Sequence, residues 1–380
     1  MSFNFGIGYN NILDYDNNYY AENAGSAGSF LDGIVNWASS EALSWGYLDR
    51  ENINEIEYRD WPAKLAWETF LMDSYVDGDG NIIEGEYISI LYPDEKVDQQ
   101  KVFEQRGGIN ELVLSGGLNI NHKFYLGASI GIQDVGISQL TAYTEYLEDD
   151  NSFTYYDDLH INGEGYNFKI GAIFKPTNTL RLGLAFHTPT YYILSEENKL
   201  SMDSRLLADY YSEGINLYDY DFQSPSKIIL SGALVLGKKA IISVDGEYQD
   251  YSKMKFKNGG ANGEDNFSDV NSGIEGVYQS VFNVKAGGEY KIAPQISLRA
   301  GYEYYANPFN LSQTNEITSL VDDSSVLSFG LGYSSGKFFT DLSYSQSTAN
   351  YSIYNIQPNL EAINLENANS KILLSIGFRF

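Results

Sequence analysis

The chain of 380 residues contains no cysteine, so disulfide scaffolds, thiol catalysis and cysteine-ligated metal centres are excluded. Histidine is scarce too: His122, His160 and His187 are scattered along the sequence and form no ligand motif. Only 24 Lys and Arg stand against 51 Asp and Glu, and a net charge of −27 makes a nucleic-acid partner a poor expectation. No apolar run approaches the ~18 residues of a transmembrane helix. The mean hydropathy of −0.30 would ordinarily indicate a soluble chain. That inference covers helices alone, because a transmembrane strand needs only about 9–11 residues, apolar at alternate positions. The opening stretch Met1 to Tyr9 has neither the basic segment nor the continuous apolar segment of a secretory signal.

What the chain does have is glycine and aromatics: 36 Gly, 32 Tyr and 20 Phe, within a hydrophobic content of 43%. Disordered acidic chains are poor in aromatics, so this one folds. The C-terminus shows how. Ile372, Leu374, Ile376, Phe378 and Phe380 share one face, with Lys371, Ser375, Gly377 and Arg379 on the other, which is the period of a β-strand. The same alternation recurs at Phe3–Tyr9, Phe124–Ile132, Tyr166–Phe174, Leu180–Phe186, Ile242–Tyr248, Phe282–Tyr290, Ile296–Tyr304 and Leu327–Tyr333.

The connectors are unequal. Short ones at 121–123, 176–178, 237–239, 292–294 and 335–337 alternate with long polar ones near 139–160, 193–216, 257–275, 307–323 and 353–367. A soluble sandwich would not keep its short loops at one end. The pattern implies an all-β fold: a transmembrane antiparallel β-barrel in the outer membrane of a Gram-negative bacterium, with about 12 strands in residues 1–380. Tight turns lie on one side and acidic external loops on the other. Such a barrel contacts outer-membrane lipid, is expected to be a monomer, and offers its final strand, ending at Phe380, to the barrel-assembly machinery.

Residues 13–104 interrupt this meander and read as a long external loop with helices of its own. Helical patterns run from Phe30 to Tyr47 and from Trp61 to Tyr75, the second with Asp60 at its N-cap and Pro62 in its first turn. Trp37, Trp45, Trp61 and Trp67, with Phe70, all fall here. Either they pack the loop against itself and the barrel rim, or they form a capture surface for an apolar ligand.

Several motifs are weighed and set aside. Gly127-Ala128-Ser129-Ile130-Gly131 matches a nucleophile elbow, but Ser129 falls mid-strand rather than at a strand-to-helix turn. Asp77, Asp79 and Asn81 imitate the opening of a calcium loop, yet Ile82 and Ile88 occupy the positions of its Gly and Glu, so an ordinary turn is read. His187 faces the lumen alone. No catalytic pair, metal site or cofactor is expected, and the protein is read as a non-enzyme. The inward charges are more informative: Lys169, Arg181, Lys285 and Arg299 share a face with Asp245, Glu247, Glu289, Glu303 and Asp341. They either form a salt-bridged interior or leave a cation to hold a ligand carboxylate while aromatics hold its tail. Arg181 is the first candidate for that role. Pro189 cannot donate to a ladder and should open a bend in its strand.

Two segments carry a resemblance, Ser2–Asn10 (SFNFGIGYN) and Leu180–Tyr192 (LRLGLAFHTPTYY), and the strand ending Glu247–Ser252 (EYQDYS) supports them. With the strand layout and terminal Phe, the chain resembles the FadL/TodX family of outer-membrane transporters for long-chain fatty acids and other hydrophobic compounds, in the style of Bacteroidetes members. The resemblance implies a 14-stranded barrel with an N-terminal hatch, helical external loops that collect the ligand, and a bent third strand for lateral exit. Against that pattern the sequence reads as short of the hatch and the first two strands, so that residues 1–12 are expected to correspond to the bent strand, with Gly6 and Gly8 as candidate bend sites. The implied function is passive uptake of hydrophobic small molecules such as fatty acids. The alternative is a surface-exposed binding protein, or a receptor for haem or another ligand, on a barrel scaffold.

Overall fold

The computed structural model describes residues 1–91, 95–206, 209–260, 267–310, 319–321, 323–353 and 363–378. Phe380 lies outside them. In chain order the strands are β1 (Ser2–Asp14), β2 (Asn17–Ser26), β3 (Met72–Val76), β4 (Ile82–Ser89), β5 (Val97–Ile120), β6 (Phe124–Tyr146), β7 (Ser152–Phe174), β8 (Leu180–His187), β9 (Tyr191–Arg205) and β10 (Asp209–Gln223). They continue with β11 (Lys227–Leu236), β12 (Ala240–Asp250), β13 (Lys255–Lys257), β14 (Ser280–Ala293), β15 (Ile296–Tyr305), β16 (Ser319–Val321), β17 (Ser324–Ser335), β18 (Phe338–Ile353) and β19 (Ile363–Phe378). The helices are α1 (Phe30–Ser40), α2 (Trp45–Leu48), α3 (Trp61–Glu68) and α4 (Ser268–Val277).

All strands except the β3–β4 hairpin belong to one antiparallel sheet. Taking β1 with β2, β8 with β9 and β10 with β11 as interrupted halves of single wall strands, the wall is a meander of about 12 strands, as the alternation implies. Among the described residues β1 and β19 form no ladder with each other, so the barrel has a seam. Lys371 on β19 reaches toward Asp14 on β1 across it, at 3.9 Å.

Local chemistry sets the architecture. Asn121 and His122 both take positive φ (53° and 55°), and Lys123 N–H closes on Ile120 C=O at 3.1 Å, the two-residue turn whose twist matches its strands. On the outward face Tyr9, Leu112, Ile132, Tyr166 and Tyr191 are in register across five strands, and directly above this row stands Glu164, which accepts the Tyr166 hydroxyl at 2.5 Å. At the opposite margin Phe124 stacks on Phe174 with centroids 4.8 Å apart. Between these margins the exposed residues are apolar, the band that lipid requires. β5, β6 and β7 have 24, 23 and 23 residues, about twice what a membrane crossing uses. Together with β2, β9 and β10 they rise above the band as a half-wall.

The loop expectation is corrected by this half-wall. Asn17–Asn23 pair with Gln99–Gln105, so strand continues well into the segment 13–104, and its described helices lie within 30–68. The first helical pattern breaks at Ser40, where Ala42 takes φ 48°, and the second ends at Glu68, where Phe70 takes φ 58°. The chain then enters the β3–β4 hairpin instead of continuing to Tyr75. Asp77 closes that hairpin, its carboxylate accepting the backbone N–H groups of Asp79 (2.9 Å) and Asn81 (2.7 Å), as an ordinary turn.

The bend expectation shifts as well. Gly6 and Gly8 sit in unbroken register opposite Ser115 and Val113, and the slip in β1 falls between Asn11 and Leu13. The Pro189 expectation has a partner that the sequence reading missed: Thr188-Pro189-Thr190 separates β8 from β9 beside Ser224-Pro225-Ser226, which separates β11 from β10. Side chains fill the gap in the ladder. Phe168 N–H donates to Thr188 Oγ1 (3.0 Å), and Thr190 N–H donates to Ser224 Oγ (2.9 Å).

Candidate functional site

The insertion caps the lumen-side face of the half-wall. α1 begins at Ser29, whose hydroxyl accepts Leu31 N–H while Asp32 returns a bond to Ser29 N–H, a capping box. The helix start is seated on Glu145 of β6, a fully buried carboxylate that accepts Phe30 N–H (2.8 Å), Tyr143 hydroxyl (2.8 Å), Gln99 amide (3.0 Å) and the Ser29 hydroxyl. A carboxylate at a helix N-terminus meets both the free N–H groups and the dipole. α3 is held by Ser204 donating to Thr69 C=O (2.7 Å) and Ser212 donating to Glu68. Phe30, Leu31, Ile34, Trp61, Leu65 and Leu71 pack there against Tyr143, Phe153, Tyr155, Leu200 and Met202 of the wall.

Beneath the cap, Asp157 and Glu196 face inward, and burial pushes both carboxyls above the usual carboxylate range. Next comes an apolar and aromatic layer. Ile109, Val135 and Leu194 pack with Tyr15, Tyr192, Tyr220 and Phe222. The rings run on from Tyr192 to Phe222 (6.1 Å), Phe256 (5.0 Å) and Phe267 (5.6 Å).

Below that layer a charged belt crosses the lumen. Glu111 on β5 takes Lys169 Nζ on both oxygens, at 2.8 and 2.7 Å, and also accepts from Gln133 (3.0 Å) and Asn167 (3.1 Å). Tyr192 donates to the Gln133 carbonyl oxygen at 2.6 Å. Glycines make room for this: a Cβ on Gly131 would stand 2.4 Å from Glu111 Oε1, and one on Gly165 would stand 2.6 Å from the Tyr192 ring. Lys169, His187 and Lys227 are in register on adjacent strands. Lys227 then meets Glu247 (2.9 Å), which also faces Lys285 (3.8 Å), and Lys285 meets Glu303 (3.6 Å). Below the belt a cavity of about 520 Å³ is lined by small lumen-side residues including Ser115, Ser129, Gly171, Gly183, Ala185 and Ser231.

An apolar entrance layer, a belt of paired charges and a cavity lined in part by small side chains inside a lipid-facing barrel together describe a conduit. The family of outer membrane protein transport proteins (OMPP1/FadL/TodX) matches residues 108–379. The chain belongs to this family. OMPP1/FadL/TodX proteins are outer-membrane β-barrels of Gram-negative bacteria that transport hydrophobic compounds, and this chain is one of them. Similar solved structures include a Pseudomonas aeruginosa FadL homologue (16% identity, 77% of each chain, TM-score 0.49). Another is the P. putida toluene transporter TodX (13% identity, 77% of this chain and 81% of that one, TM-score 0.46). A third is the monoaromatic hydrocarbon channel CymD (13% identity, 75% and 79%, TM-score 0.45). No curated protein matches the sequence.

Within this FadL/TodX barrel the candidate residues separate into groups. Lys169 and Lys285 are in the belt, and Arg299 lies below it between Glu289 (2.8 Å) and Asp341 (2.5 Å), so each of the three has a carboxylate partner. Arg181 is opposite Ala233, near the tight turns and remote from the Pro189 break, and makes no ion pair among the described ones. His187 lies between two lysines, an unfavourable surrounding for a metal cation, and no group of three or more His, Asp or Glu able to hold one occurs among the described residues. Trp61 is buried and donates to Ile56 C=O (3.1 Å); Trp67 donates to Asp49 (2.7 Å) and Trp37 to Asp60 (2.9 Å), and Trp45 packs on the cap core. Phe70 is exposed on the cap.

Glu111 and Lys227 were not singled out from the sequence. Glu111 precedes Leu112-Val113-Leu114, a run that hides the alternation of β5.

Proposed function

We propose that hydrophobic ligands, of which long-chain fatty acids and aromatic hydrocarbons are the candidate classes, are collected at the cap and pass down the lumen without catalysis or energy coupling. The observation that carries this reading is the order of layers. Aromatic and aliphatic side chains from Ile109, Val135, Tyr192, Leu194 and Phe222 lead from the cap to the belt, and small side chains line the space beneath it. Apolar contact draws a ligand in at about 25 cal/mol per Å² of buried surface, and the cavity of about 520 Å³ below gives it room. The breaks at Asn11–Leu13 and at Pro189 and Pro225 are the candidate places where the wall yields.

A surface receptor is favoured less, because the indole groups of Trp37, Trp61 and Trp67 are engaged in hydrogen bonds within the cap. The test is uptake of labelled oleate and labelled toluene by an outer-membrane transporter deletion strain expressing the chain. Uptake of at least one above the empty-vector level supports the reading, and uptake of neither contradicts it.

A further inference from the structure

The belt bears on which ligands can pass, an inference that rests on the transport reading above. Its cations are Lys169, Lys227 and Lys285, and its carboxylates are Glu111, Glu247 and Glu303. Each lysine is already matched, and Asp245, opposite Lys285 in the ladder, adds a further lumen-side carboxylate. Glu111 is the tightest hub: only 3% exposed, it engages the Lys169 ammonium with both oxygens while two amides fix its orientation. Below the belt, the two carboxylates Glu289 and Asp341 share the single Arg299. Above it, Asp157 and Glu196 face the lumen and make no ion pair among the described ones. Of the other lumen-side cations, Lys101 stands beside Tyr143 under the cap, Arg181 opposite Ala233 near the tight turns, and Lys371 at the seam facing Asp14.

We infer that the conduit selects uncharged hydrophobic molecules over carboxylates of the same tail, and that Glu111 is the positioning residue responsible, acting by neutralising Lys169. A carboxylate arriving at the belt must shed water without gaining a cation, whereas an alcohol or hydrocarbon has no ionic hydration to lose. The Glu111 oxygens already occupy the place at Lys169 where a ligand carboxylate would bind. Removing the Glu111 charge frees that place.

The probes are labelled 1-decanol and decanoate at pH 8, which share a tail and differ in the head. Uptake is measured in the deletion strain, with folding of each variant checked by heat-modifiable gel mobility. Wild type should favour decanol by about tenfold or more, the scale on which an unmatched polar group discriminates. Glu111→Gln should raise the ratio of decanoate to decanol uptake several-fold, and adding Lys169→Met should remove that gain. A merely structural role for Glu111 would lower both probes together. Should Glu111→Gln fail to fold, Ser115→Lys, which places a new cation in the cavity opposite Gly6 and Ser129 with no carboxylate in register, should also raise decanoate relative to decanol. The inference is overturned if wild type carries both probes equally, or if a folded Glu111→Gln or Ser115→Lys protein leaves the ratio unchanged. Failure of folded wild type to carry either probe overturns the transport reading itself, and the inference with it.

Discussion

Lys169 Nζ lies 2.8 and 2.7 Å from the two oxygens of Glu111, and this pair joins β7 to β5 across the intervening β6 on the lumen side of the barrel. It therefore clamps three wall strands at the level where the apolar layer above gives way to the small-residue cavity below. Glu111→Ala should leave Lys169 and two amides without their acceptor. Because Lys169 is about a quarter exposed to the lumen, the expected loss is toward the low end for a broken buried pair, about 2–3 kcal/mol. Equilibrium unfolding in lipid vesicles measures it, and a loss near zero would show that the pair is not clamping the wall.

Room for that clamp comes from Gly131. Its φ is ordinary, so the constraint is space: an added methyl would press on Glu111 Oε1 at 2.4 Å and on Asn167 Oδ1 at 2.7 Å. Gly131→Ala should destabilise by about 1–3 kcal/mol, the range for overpacking. Gly232→Ala has nothing within 4 Å and should change stability by less than about 0.5 kcal/mol. Equal effects at the two sites would contradict the geometry.

Acid should tighten the cap. Burial raises the carboxyls of Glu145, Asp157 and Glu196 in the docked state. A group whose docked pKa is raised binds its proton more strongly when docked, so docking gains stability as pH falls from the raised values toward the ordinary carboxylate range. The gain is complete below that range and lost as pH rises through the raised values. Hydrogen exchange over residues 27–91 at pH 7 and pH 5, corrected for intrinsic rates, should show greater protection at pH 5. Less protection would reverse the sign.

The tryptophans should not be equivalent. Trp61 is 2% exposed and lies over Gly214, so Trp61→Ala should cost about 3–5 kcal/mol and loosen the cap. Trp37 is 37% exposed and contributes chiefly its bond to Asp60, so Trp37→Ala should cost about 1 kcal/mol. Protease sensitivity of the cap tracks both, and a larger effect at Trp37 would contradict this placement.

The barrel wall was legible in the sequence because lipid outside and a narrow lumen inside impose a period of two on every membrane strand. Ile372, Leu374, Ile376 and Phe378 display that period, with Leu373 its one exception from Lys371 to Phe378. Above the membrane the constraint lapses: Asn17–Asn23 are strand because they pair with β5, and nothing in their own pattern distinguishes them from loop. The inward cations were also legible, but their partners were not. Lys169 and Glu111 are 58 residues apart, and only register brings them together. Pro189 signalled a break in its strand, while Pro225 became meaningful once the two were neighbours.

The conduit itself is tested most directly by filling it. Ala185 lines the cavity below the belt, whereas Ala300 faces outward among lipid-facing side chains. Labelled decanol uptake is compared for Ala185→Trp and Ala300→Trp, both confirmed as folded in the outer membrane. Uptake should fall to the empty-vector level in Ala185→Trp and stay near wild type in Ala300→Trp. Undiminished uptake through a folded Ala185→Trp barrel would contradict passage by this route.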